Sequence, residues 1–373
     1  MSGNRSNSLS EPRRLVVKVG SAVVARDSGL DPAAIARVAD QIAAQVKGSR
    51  QIVLVSSGAV ACGFAQLGHS EMPRGIVDRQ AAAAIGQQRM MSAYAKAFAK
   101  HGVHVAQVLL TSDDLEHRGR FLNARHTIDR LLRAGVVPIV NENDSMSFDE
   151  IKVGDNDRLS ALVATLIDAD LLVMLSVAPG VCDGGPGGAV IPSFENPSDA
   201  LSHVGDESSS TGIGGMKTKV EAATIAGGAG ITTFVVSGDK PDALGRAIHG
   251  ESIGTRFEAG EGGATLRKRW IAFSAKAKGT IEVDQGAKRA IVERGASLLP
   301  KGIVGVRGSF AIGEPVEIVC GSVFARGLAS YSSDEIERIK GVSSDGIEEV
   351  LGYAYADEVV HRDDLVLIGD SNA

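Results

Sequence analysis

The sequence predicts an α/β protein with a mostly parallel central sheet, followed by a small β-rich domain. Three observations carry this. From residue 14 to about 250, short β-branched runs alternate with helical patterns, as βαβ units require. Aromatic residues are only 4% of the chain while Ala, Val, Ile and Leu abound, which suits helices packed on a parallel sheet better than a β-sandwich. Past the Gly-rich stretch Glu258–Ala264, the pattern becomes short alternating runs separated by Gly and Pro.

Residues 1–12 are polar and Ser-rich, have no apolar core for a signal peptide, and read as a disordered tail. Six strands are expected at Leu15–Val19, Gln51–Val55, Val103–Leu110, Val136–Val140, Leu171–Leu175 and Thr232–Val236. Between them, Ile35, Val38, Ile42 and Val46 recur at helical spacing, and further helices are expected near Asp78–Lys100, Phe121–Arg133 and Leu159–Ile167. The first domain then spans 13–257, a linker 258–277 and the β-rich domain 278–373, with strands at Gly279–Val283, Val304–Gly308 and Pro315–Val319.

A net charge of −6 argues against a nucleic-acid binder held mainly by phosphate contacts. No run of about 18 apolar residues occurs, so no membrane span is expected. Three cysteines far apart in sequence suit a reducing cytoplasm and lack zinc spacing. The eight histidines form no ligand pair, and no protein-held metal is expected.

Polar groups cluster where strands end. Lys18 lies inside an apolar strand and needs an anion, and Gly20-Ser21 after it would leave backbone N–H groups free to approach one. Ser57, in Ser56-Ser57-Gly58, either caps a helix or helps bind a carboxylate. After the run Val136–Val140 come Asn141-Glu142-Asn143-Asp144 and, ten residues on, Gly154-Asp155-Asn156-Asp157 at a helix start, the place where open α/β sheets bind ligands. The loop Thr211–Lys219 contains Gly214, Gly215, Met216, Lys217 and Lys219. It is no Walker loop, yet glycines and two lysines at a helix start form an anion site. Lysines on two glycine turns with an acidic cluster fit phosphoryl transfer, and Asp157 is the candidate to hold both ammonium groups.

The motifs Lys18-Val-Gly-Ser, Ser56-Ser-Gly-Ala, Phe121-Leu-Asn-Ala-Arg125, Asn141-Glu-Asn-Asp144, Ile151–Asp157 and Gly214–Lys219 resemble the glutamate 5-kinase family of the amino acid kinase superfamily. Residues from about 278 look like the PUA domain that many of these kinases carry. The resemblance implies a three-layer αβα sandwich and ATP-dependent, Mg²⁺-assisted phosphorylation of the L-glutamate γ-carboxylate, the first step of proline synthesis. Lys18, Lys219 and Asp157 would be catalytic; Ser57, Asp144 and Asn156 would bind glutamate, with Asn141 and Asp155 close by. Lys18, Ser176, Val177, Gly214, Gly215, Met216, Lys217 and Lys219 would face the nucleotide. Feedback inhibition by proline, a homo-oligomer and hand-off of product to a glutamyl phosphate reductase are also implied.

The chain has Ser176-Val177 where the family usually has Thr or Ser and then Asp, which implies weakened or altered nucleotide binding. Ile213 likewise replaces a common Thr, and Ser145–Ile151 reads as a lid over the substrate. A competing reading is an RNA-binding or regulatory protein that uses its PUA-like domain beside a vestigial kinase fold. Residues 266–373 hold 14 Lys+Arg against 16 Asp+Glu by count, so a basic footprint for RNA is missing.

Overall fold

The computed structural model describes residues 11–26, 29–145, 155–204, 215–260, 268 and 270–368. The chain divides into two compact units: Met1–Leu115 with Gly119–Gly263, and Ala264–Ala373 with Glu116–Arg118. No helix among the described residues is long and apolar enough to cross a membrane.

In the first unit the strands are β1 (Arg14–Val19), a small hairpin of β2 (Ala25–Arg26) and β3 (Gly29–Leu30), β4 (Gln51–Ser56), β5 (Val105–Leu110), β6 (Val137–Glu142), β7 (Leu171–Ser176), β8 (Ser193–Phe194), β9 (Thr232–Ser237) and β10 (Thr255–Phe257). The helices are α1 (Ser21–Val24), α2 (Pro32–Lys47), α3 (Ala59–Gly63), α4 (Ile76–Ala99), α5 (Ser112–Glu116), α6 (Arg118–Arg133), α7 (Asp155–Leu166), α8 (Met216–Gly228) and α9 (Ala243–Ile248). Eight strands form one sheet in the order β5-β6-β4-β1-β7-β9-β10-β8. Every pairing is parallel except that of β9 with β10. The expected strands are present with shifted ends. β5 starts at Val105, and β6 does not stop at Val140 but runs on through Asn141 and Glu142, because their backbones pair with Leu109 and Leu110. The two- and three-residue strands β8 and β10 are too short to leave a periodic signal.

The alternation of β1 sorts its side chains. Leu15, Val17 and Val19 join a core with Ile35, Ile42, Met90, Tyr94, Phe98, Leu244 and Ile248 from α2, α4 and α9. Val16 and Lys18 point to the opposite face, where α7 lies against β1, β4, β6 and β7 and packs on α8. The result is a three-layer αβα sandwich. Helix α2 shows why the local sequence obeys: Pro32 starts it, and the Asp31 carboxylate accepts hydrogen bonds from the Ala33 and Ala34 N–H groups at 2.9 and 3.1 Å. Such a cap contributes about 0.5–2 kcal/mol.

Strand β1 sits between β4 and β7, and the chain winds outward from it in both directions. That reversal opens a crevice at the carboxyl ends of the strands. Lys18, Ser57, Asn141 and Ser176 all lie at those ends.

The second unit holds a five-stranded sheet, β12-β11-β13-β14-β15, from β11 (Gly279–Val283), β12 (Ile303–Gly308), β13 (Pro315–Cys320), β14 (Ser322–Leu328) and β15 (Leu365–Leu367). Its own core contains Ile281, Ile318, Phe324, Tyr331, Ile336 and Val360. β14 was not expected: Ala325, Arg326 and Gly327 are poor strand formers, and pairing with both β13 and β15 overrides them.

Candidate active site

At the end of β1 and the first turns of α7 and α8 lies a buried ion triad. Asp157, in the first turn of α7, is fully buried and lies between two ammonium groups. Lys18 Nζ at the end of β1 is 2.5 Å from its Oδ1, and Lys219 Nζ in the first turn of α8 is 3.2 Å from its Oδ2. The Thr218 hydroxyl, 2.7 Å from the same Oδ2 and 2.9 Å from the Gly215 carbonyl oxygen, shares its proton between them. Burial alone would raise the Asp157 carboxyl, but Lys18, Lys219 and the Thr218 hydroxyl outweigh it and hold the group below its ordinary value. Burial lowers the Lys219 ammonium, with the Lys18 charge adding to that and Asp157 opposing it.

Lys18 and Lys219 meet one carboxylate in a site where they are only 3% and 5% exposed. Two buried lysine side chains converging on one carboxylate place cationic donors where phosphate oxygens can be received. Lys217 is exposed while Lys219 is buried, because residues two apart on a helix point to different sides. The Gly20 N–H donates to the Leu175 carbonyl at 3.1 Å, so this expected free anion donor is already used.

Beside the triad runs a chain of three amides. Asn156 Nδ2 donates to Asn141 Oδ1 at 3.0 Å, and Asn141 Nδ2 donates to Gln87 Oε1 at 2.8 Å. Gln87 lines a cavity of about 340 Å³ with Ala59, Met91, Glu142, Asn143 and Asp144. Ser57 is half-buried before α3, and its N–H donates to Val19 O at 3.2 Å. It does not cap α3, whose N-cap is Gly58 in the left-handed region at φ 109°, without a side-chain hydrogen bond. Helices α3 and α4 then meet backbone to backbone. A Cβ on Gly63 would lie 1.9 Å from the Ala82 carbonyl oxygen, and one on Gly86 would lie 1.8 Å from that of Ala59.

Ser176 ends β7, where its Oγ accepts from the Ala178 N–H at 3.3 Å, and the Val177 side chain next to it is half exposed. Gly215 is the N-cap of α8 and Met216 its first residue, half-buried. Gly214, Ile213, residues 146–151 of the expected lid and the Asp155 side chain lie outside the described residues.

Two residues outside the expected set stand in the site. Thr218 was part of a quoted motif, but one turn of helix was needed to show it facing Asp157. Gln87 had only one signal, a glutamine directly after the small and apolar run Ala81–Gly86. Arg125, from the Phe121–Arg125 motif, works at the other end of α7. Its guanidinium donates to Leu166 O and Asp168 Oδ2, both at 2.7 Å, and so closes that helix.

Among the described residues no group of three His, Cys, Asp or Glu could hold a metal. Burial pushes the Cys62 thiol up to about 11 against the pull of Arg89, which leaves it un-ionised and a poor nucleophile.

A parallel sheet with a buried Lys–Asp–Lys site at its carboxyl edge is the equipment of a small-molecule kinase. The Amino acid kinase family matches residues 13–237, and the chain belongs to it. A PUA domain matches residues 279–351. The chain is 47% identical to the glutamate 5-kinase of Geobacter sulfurreducens, over 98% of this chain and all of that one. It is also 47% identical to the glutamate 5-kinase of Thermus thermophilus, over 95% and 97%.

Proposed function

We propose that the protein transfers the γ-phosphoryl group of ATP to the side-chain carboxylate of L-glutamate, giving γ-glutamyl 5-phosphate for proline synthesis. The observation that carries this reading is the buried Lys18–Asp157–Lys219 triad. Similarity to glutamate 5-kinases along nearly the whole chain supports the choice of substrate.

A γ-carboxylate oxygen attacks the γ-phosphorus, that O–P bond forms, and the bridging P–O bond to the β-phosphate breaks, with its electron pair leaving on ADP. The substrate itself is the nucleophile. Lys18 and Lys219 face the equatorial oxygens and offset the charge that spreads over them, while Asp157 keeps both ammonium groups in place. Mg²⁺ usually binds through phosphates and one or two carboxylates. Asp157 is engaged by both lysines, so a magnesium ion would enter on the nucleotide's own phosphates. Ser57, Asn141, Asp144, Asp155 and Asn156 form the amino-acid half of the site, while Ser176, Val177 and Gly214–Lys219 form the nucleotide half. The same reading brings inhibition by proline, a homo-oligomer and product hand-off to a reductase in the cytoplasm.

ADP release should require both L-glutamate and ATP, and Lys219→Ala should abolish it. Release with aspartate or acetylglutamate but not with glutamate would overturn the substrate assignment.

A further inference from the structure

Gln87 is a strange residue to bury. It is 7% exposed on the Ala-rich helix α4, and its Nε2 has no hydrogen-bond partner among the described residues. An amide left in that state costs free energy, so a buried donor without an acceptor calls for an explanation. The three amides run in one direction, with Asn156 and Gln87 at the two ends. Asn141 is 1% exposed and uses its oxygen on Asn156, which leaves its NH₂ to donate to Gln87 Oε1. Gln87 Nε2 is then the donor left over, and the cavity it lines with Glu142 and Asp144 is where an acceptor can come from.

The position along the amide chain says which acceptor. Asn156 is next to Asp157, where phosphoryl transfer takes place, and Gln87 is two amides further away. An α-amino acid reacting through its side-chain carboxylate offers one acceptor at its other end, the α-carboxylate. Its ammonium group can only donate, and Asp144 supplies an acceptor for that group. Resting on the substrate reading above, we infer that Gln87 recognises the α-carboxylate of the substrate through Nε2, held in that orientation by Asn141 and Asn156. Gln87 thereby sets the requirement for an α-amino acid over a simple carboxylate.

The test compares Gln87→Glu with Gln87→Leu in the full chain, under steady-state kinetics with L-glutamate and ATP. Gln87→Glu keeps the size of the side chain and the acceptor for Asn141, and replaces only the donor, with a like charge. It should raise the KM for glutamate about 100-fold or more, and Gln87→Leu about tenfold, with the KM for ATP within about threefold in both. With 4-aminobutyrate, which keeps the reacting carboxylate but lacks the α-carboxylate, Gln87→Glu should lose far less relative to wild type than it does with L-glutamate. If Gln87→Glu stays within about threefold of wild type while Gln87→Leu is impaired, Gln87 merely supports Asn141 and the inference fails. Equal losses in the KM for glutamate and for ATP would also overturn it. Wild-type protein that does not phosphorylate glutamate would instead refute the substrate reading.

Discussion

Replacing Asp157 by Asn tests the triad most directly. The substitution keeps the volume and removes one charge from between two ammonium groups 2.5 and 3.2 Å away. Breaking a buried pair in this way costs about 3–5 kcal/mol, because the remaining groups stay desolvated without their carboxylate. That is a large part of the roughly 5–15 kcal/mol that holds a typical domain folded. The loss should depend on pH with a defined sign. The folded-state carboxyl of Asp157 titrates below its ordinary 3.8. Its stabilising contribution is therefore full above that value and lost as pH falls through the lower folded-state pKa. The gap between wild type and Asp157→Asn in urea titrations should thus be wide at neutral pH and close in acid. Lys219 adds a second signature. Its ammonium is already lowered by burial, and Asp157 is what opposes this. In the variant it should shed its proton more readily, so stability recovers as pH rises while phosphoryl transfer stays lost. A variant within about 1 kcal/mol of wild type at neutral pH, or a gap that does not change in acid, would refute the reasoning.

Gly86→Ala should destabilise the first unit by about 1–3 kcal/mol, since its Cβ would meet the Ala59 carbonyl oxygen at 1.8 Å. As α3 follows Ser57 and Gly58, the displaced helix should also raise the KM for glutamate, and thermal melts with initial rates check both effects. Arg125→Ala should cost about 1–3 kcal/mol through the lost hydrogen bonds to Leu166 and Asp168, measured by urea unfolding. Its effect on kcat should be the smaller one, because it acts at the end of α7 remote from Asp157.

The central strands were legible because fully buried parallel strands read as continuous apolar runs, and α2 because its period is unbroken and its cap is in the sequence. Where strand ends were misread, the reason is pairing. Asn141 and Glu142 look like loop residues, yet their neighbours in β5 keep them in the ladder. Lys18 could be singled out because a lysine among Val16, Val17 and Val19 conflicts with its surroundings. Thr218 and Gln87 could not, since a threonine or a glutamine on a helix is unremarkable until one knows which side faces a charge or a cavity.

By itself the sequence determined the α/β class, the alternation that buries one face of each helix, and the clustering of polar groups at strand ends. These are local consequences of side-chain periodicity and backbone propensity. Only the tertiary structure decided that Lys18, Asp157 and Lys219, up to 201 residues apart by their numbers, share one buried site. Likewise only the fold made Gln87 the end of an amide chain that starts at Asn156. The physical reason is the same in both cases. The free energy of a charge or an amide depends on what replaces its water, and that is set by neighbours distant in sequence.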